Sequence, residues 1–196
     1  MASATPGPAT AAHALALLER ATGYTRASLH LVGYGDLGRP TPCRAWDLRA
    51  LLSHMDDSLL ALQEGADAGY VLLRPRRSEP PAADPVASLR VRACALLGAW
   101  TNNGGADLVS VAGSPVAAEV LASAGALEIA VHGWDVAHAC GHDRPLPEPL
   151  AADLLEVAPS LVSDGDRPAR FAAPVDVPVA AGASARLLAF LGRDPR

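Results

Sequence analysis

Residues 47–63 read DLRALLSHMDDSLLALQ and predict a long amphipathic helix. Its apolar side chains recur at the i, i+3, i+4 and i+7 offsets of one buried helix face. They are Leu48, Leu51, Leu52, Met55, Leu59 and Leu62. Asp47 stands where an N-cap is expected, because its carboxylate can accept hydrogen bonds from free amides of the first turn. Since His54 stands among these apolar residues, the stretch predicts a core helix that carries an imidazole at or near the core.

The rest of the chain predicts further helices around this one. The spacing of apolar residues predicts the helices. N-cap residues such as Asp84, before Pro85, indicate where they begin, and glycines such as Gly141 indicate where they end. They cover residues 10–32, 85–101, 114–141, 148–157 and 183–191, and the fourth long helix opens at Ser114-Pro115. Residues 64–84 predict a loop and residues 107–111 an extended run. Because no convincing series of strands accompanies the long helices, the predicted fold class is all-α, a four-helix bundle.

A change in character late in the chain predicts two regions. Residues 1–160 form the helical bundle domain, and residues 161–196 form a short, partly irregular C-terminal extension that packs on the bundle. Within the extension, residues 171–179 alternate apolar residues with proline. Proline cannot donate to a sheet, so this pattern suits an irregular or edge-strand segment better than a central strand.

Charge, hydropathy and cysteine content exclude several classes of protein. The 196 residues include 16 basic side chains, all arginine, and 21 acidic ones, for a net charge of −5. Nucleic-acid binding needs a basic face to displace counterions and is therefore not expected. No apolar stretch reaches the roughly 18 residues of a membrane span, and the N-terminus has no basic signal-peptide region. The odd number of three cysteines suits reduced thiols, so we expect a cytoplasmic protein without membrane association.

Two common catalytic motifs do not apply to this sequence. Residues 33–38, GYGDLG, match the glycine pattern of dinucleotide-binding folds, but a predicted helix precedes them and RPTP follows. That pattern needs a strand before it and a helix behind it, so we predict a helix-ending turn. The G-x-S-x-G elbow of serine hydrolases is absent. Four histidines are assigned no role: His13, His30, His138 and His142.

Glu128 and His132 form the most informative pair of polar residues. They lie one turn apart on the predicted fourth helix, where an i, i+4 pair has Cβ atoms about 5–6 Å apart. The surrounding residues 127 and 129–131 are apolar, and a glutamate among them is costly unless it is paired. Carboxylate oxygen and imidazole nitrogen both bind zinc and similar metals. The pair therefore predicts two ligands of a metal ion.

The third ligand must come from another helix of the bundle, and His54 is the best candidate. The alternative is a plain hydrogen-bonded pair without an ion, because E-x-x-x-H is less specific than H-E-x-x-H. Asp135, three residues after His132, shares that helix face. It is either an acceptor behind a metal ligand or a surface charge, and the residues leave both interpretations open.

Three motifs in order resemble the mycothiol-dependent maleylpyruvate isomerase-like family, one of the DinB-like four-helix groups. Residues 41–54, TPCRAWDLRALLSH, are similar to the signature that opens its metal-bearing helix. Residues 128–137, EIAVHGWDVA, look like its second signature, E-x-x-x-H-G-W-D. Residues 186–195, RLLAFLGRDP, are similar to the ending of one branch of metal-binding members. The resemblance spans most of the chain.

The resemblance implies a DinB-like bundle in which His54, Glu128 and His132 hold a divalent metal. Zinc is the first expectation for the ion, with nickel among the alternatives. Mycothiol is the implied cosubstrate, and its sulfur is expected to approach the metal. The resemblance further implies that Trp46 is structural and that Cys43 is not a metal ligand and serves packing.

The leading functional hypothesis is a transferase or isomerase in which the metal activates the thiol toward a small-molecule electrophile. A metal-hydroxide hydrolase and a non-catalytic metal- or ligand-binding protein are the alternatives. Residues 55–58, MDDS, depart from the small residues and asparagine that many relatives carry there. The full isomerases carry a separate C-terminal domain that helps form the active site. The resemblance therefore supports family membership more strongly than it supports isomerase activity. No catalytic acid or base is assigned. The sequence does not determine which metal binds, which electrophile is the substrate, or whether the protein forms a homodimer.

Overall fold

The computed structural model of the protein describes residues 8–43, 45–72, 84–102 and 107–196. Within these residues the chain forms six α-helices and three short strands. The helices are α1 (Pro8–Ser28), α2 (Leu48–Ala68), α3 (Pro85–Asn102), α4 (Ala118–Ala139), α5 (Glu148–Leu161) and α6 (Ala183–Phe190). The strands are β1 (Tyr70–Val71), β2 (Leu108–Val111) and β3 (Ser114–Ala117). Single 3-10 turns occupy Leu29–Leu31 and Asp164–Asp166.

The first four helices form the bundle. α1 packs along α4, and α2 packs along both α3 and α4, while α1 also contacts α3. α5 then packs on α4 and α1, and α6 packs on α5. One core of buried apolar side chains joins these helices. The predicted all-α, DinB-like four-helix bundle is confirmed, and none of the helices in the described residues is long and apolar enough to cross a membrane.

Helix α2 follows its predicted pattern closely and is longer than predicted. All six apolar residues of the predicted face are buried, and the Asp47 side chain accepts a hydrogen bond from the Ala50 amide at 2.8 Å. The prediction of a loop from residue 64 is wrong, because the helix continues to Ala68. Gly65 lies inside it, where a Cβ atom would come within 2.9 Å of the Leu121 side chain. Gly69, at φ 70°, ends the helix in the left-handed conformation.

A small three-stranded sheet replaces the predicted start of the fourth helix. β2 pairs antiparallel with β3 and parallel with β1. Ser114-Pro115 resembles a helix start, yet both residues pair with β2, and α4 begins only at Ala118. The two-residue turn between the strands, Ala112 and Gly113, has positive φ angles of 49° and 85°, as tight hairpins require. Cross-strand pairing has therefore overridden a local helix signal.

Helix α4 lies at the centre of the fold. It is apolar on nearly every face and almost wholly buried from Gly125 onward, as a helix surrounded by α1, α2 and α5 must be. α1 approaches it closely at Gly133, and the Thr25 hydroxyl donates to the Ile129 carbonyl at 2.7 Å. α4 ends at Ala139, and Gly141 follows with a φ of 80°, as predicted for a helix stop.

The four other predicted helices, which correspond to α1, α3, α5 and α6, agree with the structure within about one turn. The helix predicted over residues 10–32 ends at Ser28 and continues as a 3-10 turn, and the helix predicted to end near residue 157 reaches Leu161. Residues 172–178 are irregular, as expected for their proline pattern. Residues 73–83 of the loop predicted over 64–84, and residues 103–105 of the helix stop predicted over 101–105, lie outside the described residues. The division at residue 160 stays a prediction.

Candidate metal centre

Two helices bring three predicted ligands to one point. α2 carries His54, and α4 carries Glu128 and His132 one turn apart on one face. Nε2 of His54 lies 2.6 Å from Oε1 of Glu128, and Nε2 of His132 lies 3.2 Å from the same oxygen. The candidate ligand atoms all lie within 4.8 Å of one another. The packing of α2 against α4 therefore assembles a compact cluster of two imidazoles and one carboxylate.

The cluster fits a divalent ion with three protein ligands. Zinc bonds to nitrogen and oxygen are about 2.0–2.2 Å, so two ligands of a tetrahedral ion lie about 3.3 Å apart. The His132–Glu128 separation matches this value, and the shorter His54–Glu128 contact is a hydrogen bond that an ion would open. The side chains of His54 and Glu128 are 35% and 31% exposed, while that of His132 is 7% exposed. This exposure leaves one side of the cluster open to a fourth ligand, as in catalytic sites.

Charges and hydrogen bonds shift the pKa of both α4 ligands. Burial alone would raise the pKa of Glu128, but the charge of His132 and hydrogen bonds to both histidines hold it well below its usual range. Burial alone would lower the pKa of His132, but the charge of Glu128 and the hydrogen bonds to Asp135, Cys43 and Glu128 raise it well above its usual range. In the absence of an ion, a protonated His132 therefore lies between two carboxylates.

We expect metal affinity to rise with pH, because an ion must displace the proton on Nε2 of His132. Below the raised pKa of His132, the dissociation constant for Co²⁺ should fall by about tenfold per pH unit for each proton released. Above that pKa it should become constant. Titrations with Co²⁺ at pH 6, 7 and 8, at constant ionic strength, measure the slope. A dissociation constant that stays the same across this range would contradict the proton on His132.

Asp135 lies directly behind His132. It is fully buried, and its Oδ2 accepts a hydrogen bond from Nδ1 of His132 at 2.8 Å. The alternative that Asp135 is a surface charge is therefore wrong. Burial would raise the pKa of Asp135, but the hydrogen bond from His132 and the charge of Arg193 lower it, so the carboxylate stays ionised. With its proton on Nδ1, the His132 ring turns Nε2 toward Glu128 and the candidate ion.

Sequence reasoning did not find Arg193 or the position of Cys43. Nη2 of Arg193 lies 2.9 Å from Oδ2 of Asp135, and the Cys43 sulfur lies 3.5 Å from that oxygen. Cys43, His132 and Asp135 also have ligand atoms close enough to hold an ion. The buried guanidinium already supplies positive charge beside them, so we assign no second ion there. A tail motif, GRD at residues 192–194, was the one signal for Arg193, and nothing in its spacing connects it to α4.

Trp46, which lies in the turn before α2, contacts the cluster. Its ring centroid lies 4.5 Å from that of His54 and 6.2 Å from that of His132. The resemblance implied a purely structural tryptophan, and the structure adds a half-buried ring against a candidate ligand. In the sequence, this contact was indicated only by the position of Trp46, which immediately precedes the Asp47 N-cap in a chain with three tryptophans.

A narrow, mostly apolar crevice opens beside Glu128, between the four helices of the bundle. Its free interior volume is about 10 Å³, about the space of one water molecule. Its walls are formed by Thr22, Thr25, Arg26, Leu29, Met55, Ser58, Leu59, Leu89, Ala93, Glu128 and Ile129. The Ser58 hydroxyl lies 3.4 Å from Oε1 of Glu128, which connects the crevice to the cluster. Two residues of the unusual MDDS stretch therefore line the crevice, while Asp56 pairs with Arg92 at 2.8 Å.

The other sequence candidates lie away from this cluster. Residues 33–38 form turns after α1, with the Gly33 amide donating to the Asp36 carboxylate at 2.8 Å, so the predicted helix-ending turn is confirmed. Ser114 lies on β3. The four unassigned histidines are all exposed, and none belongs to a candidate metal group within the described residues.

Comparison with known proteins identifies a family for the chain. The family model described as the mycothiol maleylpyruvate isomerase N-terminal domain matches residues 18–137. No curated protein and no solved structure matches the chain. The matched range includes the three candidate ligands and Asp135, and it ends before Arg193.

Proposed function

The chain belongs to the mycothiol maleylpyruvate isomerase N-terminal domain family, and from that membership we propose a metal-dependent enzyme that activates a low-molecular-weight thiol, mycothiol. The thiol then adds to, or is transferred onto, a small electrophile. One observation carries this proposal: His54, Glu128 and His132 converge with one side of their cluster open. Structural zinc sites usually have four protein ligands, whereas three ligands and an open side suit a site that binds a reactant.

The three ligands and their neighbours have separate tasks in this proposal. His54, Glu128 and His132 would hold the divalent ion, with zinc as the first candidate. When bound, such an ion makes a coordinated thiol lose its proton, which produces the nucleophile at neutral pH. Asp135 keeps the His132 ring in the orientation that offers Nε2 to the ion. The Trp46 ring covers one face of His54 and limits the space in which that imidazole can turn.

The wall of the crevice beside Glu128 shows the chemistry that a bound electrophile would meet there, while its free space holds only about one water molecule. Most of its wall is aliphatic, and it begins at a candidate metal ligand. Thr22 lies in that wall, is only 1% exposed, and has a hydroxyl with no hydrogen-bond partner among the described residues. A buried unpaired hydroxyl is costly, so a polar group on a bound molecule would satisfy it. We therefore expect an electrophile that combines an apolar body with a hydrogen-bonding group, and the crevice must widen to admit it.

We expect mycothiol to change the spectrum of the Co²⁺-substituted protein, because its sulfur would enter the open position. Addition of the thiol should produce a new near-ultraviolet sulfur-to-cobalt band and a change in the visible d–d bands. Absorption titration with mycothiol, or with cysteine as a simpler thiol, is the measurement. S-methylcysteine is the matched control, since it has no thiol proton to lose.

A cobalt spectrum that ignores both thiols would contradict thiol activation. The same three ligands would then be consistent with a metal-hydroxide hydrolase or with a non-catalytic metal-binding protein. A panel of esters separates these two alternatives, because only the hydrolase would cleave an ester in a metal-dependent manner.

A further inference from the structure

Arg193 reaches the metal centre from the end of the C-terminal extension. Gly192, immediately after the α6 region, has a φ of 78°. A Cβ atom at this position would lie 2.7 Å from the carbonyl oxygen of Ala172, so a side chain has no room there. The turn made by Gly192 directs Arg193 back toward α4. Nη1 of Arg193 then donates to the Leu191 carbonyl at 3.0 Å, which holds the guanidinium in place.

The guanidinium of Arg193 forms a buried ion pair with Asp135. Arg193 is 8% exposed and Asp135 is 0% exposed. Nη2 donates to Oδ2 at 2.9 Å, and Nε approaches Oδ1 at 3.4 Å, so both carboxylate oxygens face one planar fork. Such a pair constrains the carboxylate in rotation as well as in position. Nη2 also lies 3.4 Å from the Cys43 sulfur, which ties the loop before α2 to the same group.

The constrained oxygen of Asp135 is also the one to which His132 donates its hydrogen bond. Oδ2 of Asp135 accepts from Nδ1 of His132 at 2.8 Å, on the side of the ring opposite the candidate ion. A chain of contacts therefore runs from the C-terminal extension to a predicted metal ligand: Arg193, Asp135, His132. Partners behind a metal-bound histidine fix its tautomer and ring orientation.

We propose that Arg193 is a positioning residue of the metal centre, which holds Asp135 so that His132 presents Nε2 to the ion. This inference rests on the proposed function, because it requires that the cluster bind a metal. It assigns a task to the C-terminal extension: within the part of the chain that the structure describes, the extension supplies the buried cation that pairs with Asp135.

The test compares Co²⁺ binding by the full-length parent with that of R193Q, R193K and the exposed control R186Q. We expect R193Q to raise the dissociation constant by about 10–100-fold and to change the d–d spectrum. R193K keeps the charge without the fork, so its dissociation constant should lie between those of R193Q and the parent. R186Q, on α6 and exposed to solvent, should match the parent. Thermal unfolding of the metal-free proteins is recorded in parallel.

A second comparison separates positioning from general stability. If Arg193 acts through Asp135, adding R193Q to a D135N protein should change the dissociation constant by less than about threefold. A parent-like dissociation constant and spectrum in R193Q would overturn the proposal, even if that variant unfolds at a lower temperature. If R193Q does not fold, the comparison rests on R193K. A dissociation constant for Co²⁺ that is about threefold or more above that of the parent supports positioning, and an unchanged constant overturns it. A parent that binds no Co²⁺ would overturn the proposed function and this inference together, whereas a binding parent with unaffected variants overturns this inference alone.

Discussion

Replacing His132 with alanine is expected to remove nearly all bound metal from the protein. The substitution deletes the most buried of the three candidate ligands and leaves one histidine and one carboxylate for the ion. Losing a partner behind a ligand typically costs 10–100-fold in affinity, so losing the ligand itself should cost more than about 100-fold. We expect about one divalent ion per chain in the parent and little in His132→Ala.

Elemental analysis of untagged protein is the measurement, because a nickel column could load the same nitrogen and oxygen ligands. His138→Ala is the matched control. It removes another histidine of α4, but one that is exposed and stacked on Trp134 with ring centroids 4.9 Å apart. Equal metal content in the parent and in His132→Ala would contradict the assigned ligand set. No metal in either protein would indicate that the cluster is a hydrogen-bonded trio, and the thiol-activating enzyme would lose its chemistry.

Replacing Gly133 with alanine is expected to lower the free energy of unfolding by about 3 kcal/mol, at the upper end for an overpacked core. A Cβ atom at this position would lie 3.1 Å from the Cα atom of Thr25 and closer still to its hydroxyl oxygen. Rotation of the Thr25 side chain can move its hydroxyl away, but the Cβ and Cα atoms of Thr25 keep their places on α1 and remain too close. α1 would have to move away from α4, and the 2.7 Å hydrogen bond from Thr25 to the Ile129 carbonyl would be lost.

Thermal unfolding measures this effect, and a decrease of about 6–12 °C corresponds to 3 kcal/mol in a chain of this length. Gly98→Ala is the matched control on α3. A Cβ atom there meets nothing within 4 Å, so the loss of a flexible glycine from a helix should stabilise the protein by about 0.5–1 kcal/mol. Opposite signs for the two variants would confirm that α1 and α4 touch through Gly133. An unchanged unfolding temperature in Gly133→Ala would show that the two helices are not in close contact there.

Local pattern was enough to predict α2 and much of the bundle. The apolar spacing of residues 48–62 and the Asp47 cap depend on neighbours within one or two turns, and the helix forms as they predict. Glu128 and His132 were recognisable for the same reason, because helical spacing alone places them on one face. Local pattern was misleading at Ser114-Pro115, where pairing with β2 converts an apparent helix start into a strand. Local pattern also placed the end of α2 too early, near residue 63, since Gly65 lies inside the helix and admits the Leu121 side chain.

The amino-acid sequence on its own therefore determined the helical class, the α2 face and the composition of the candidate ligand set, because each depends on periodic burial along one helix. The surroundings of those ligands depended on the way the helices and the tail pack. Asp135 is buried because α4 lies at the centre of the bundle, and Trp46 meets His54 through the turn before α2. Arg193 reaches Asp135 across 58 residues of sequence, through the turn at Gly192. No periodic pattern encodes such a contact, since folding alone brings the two charges together.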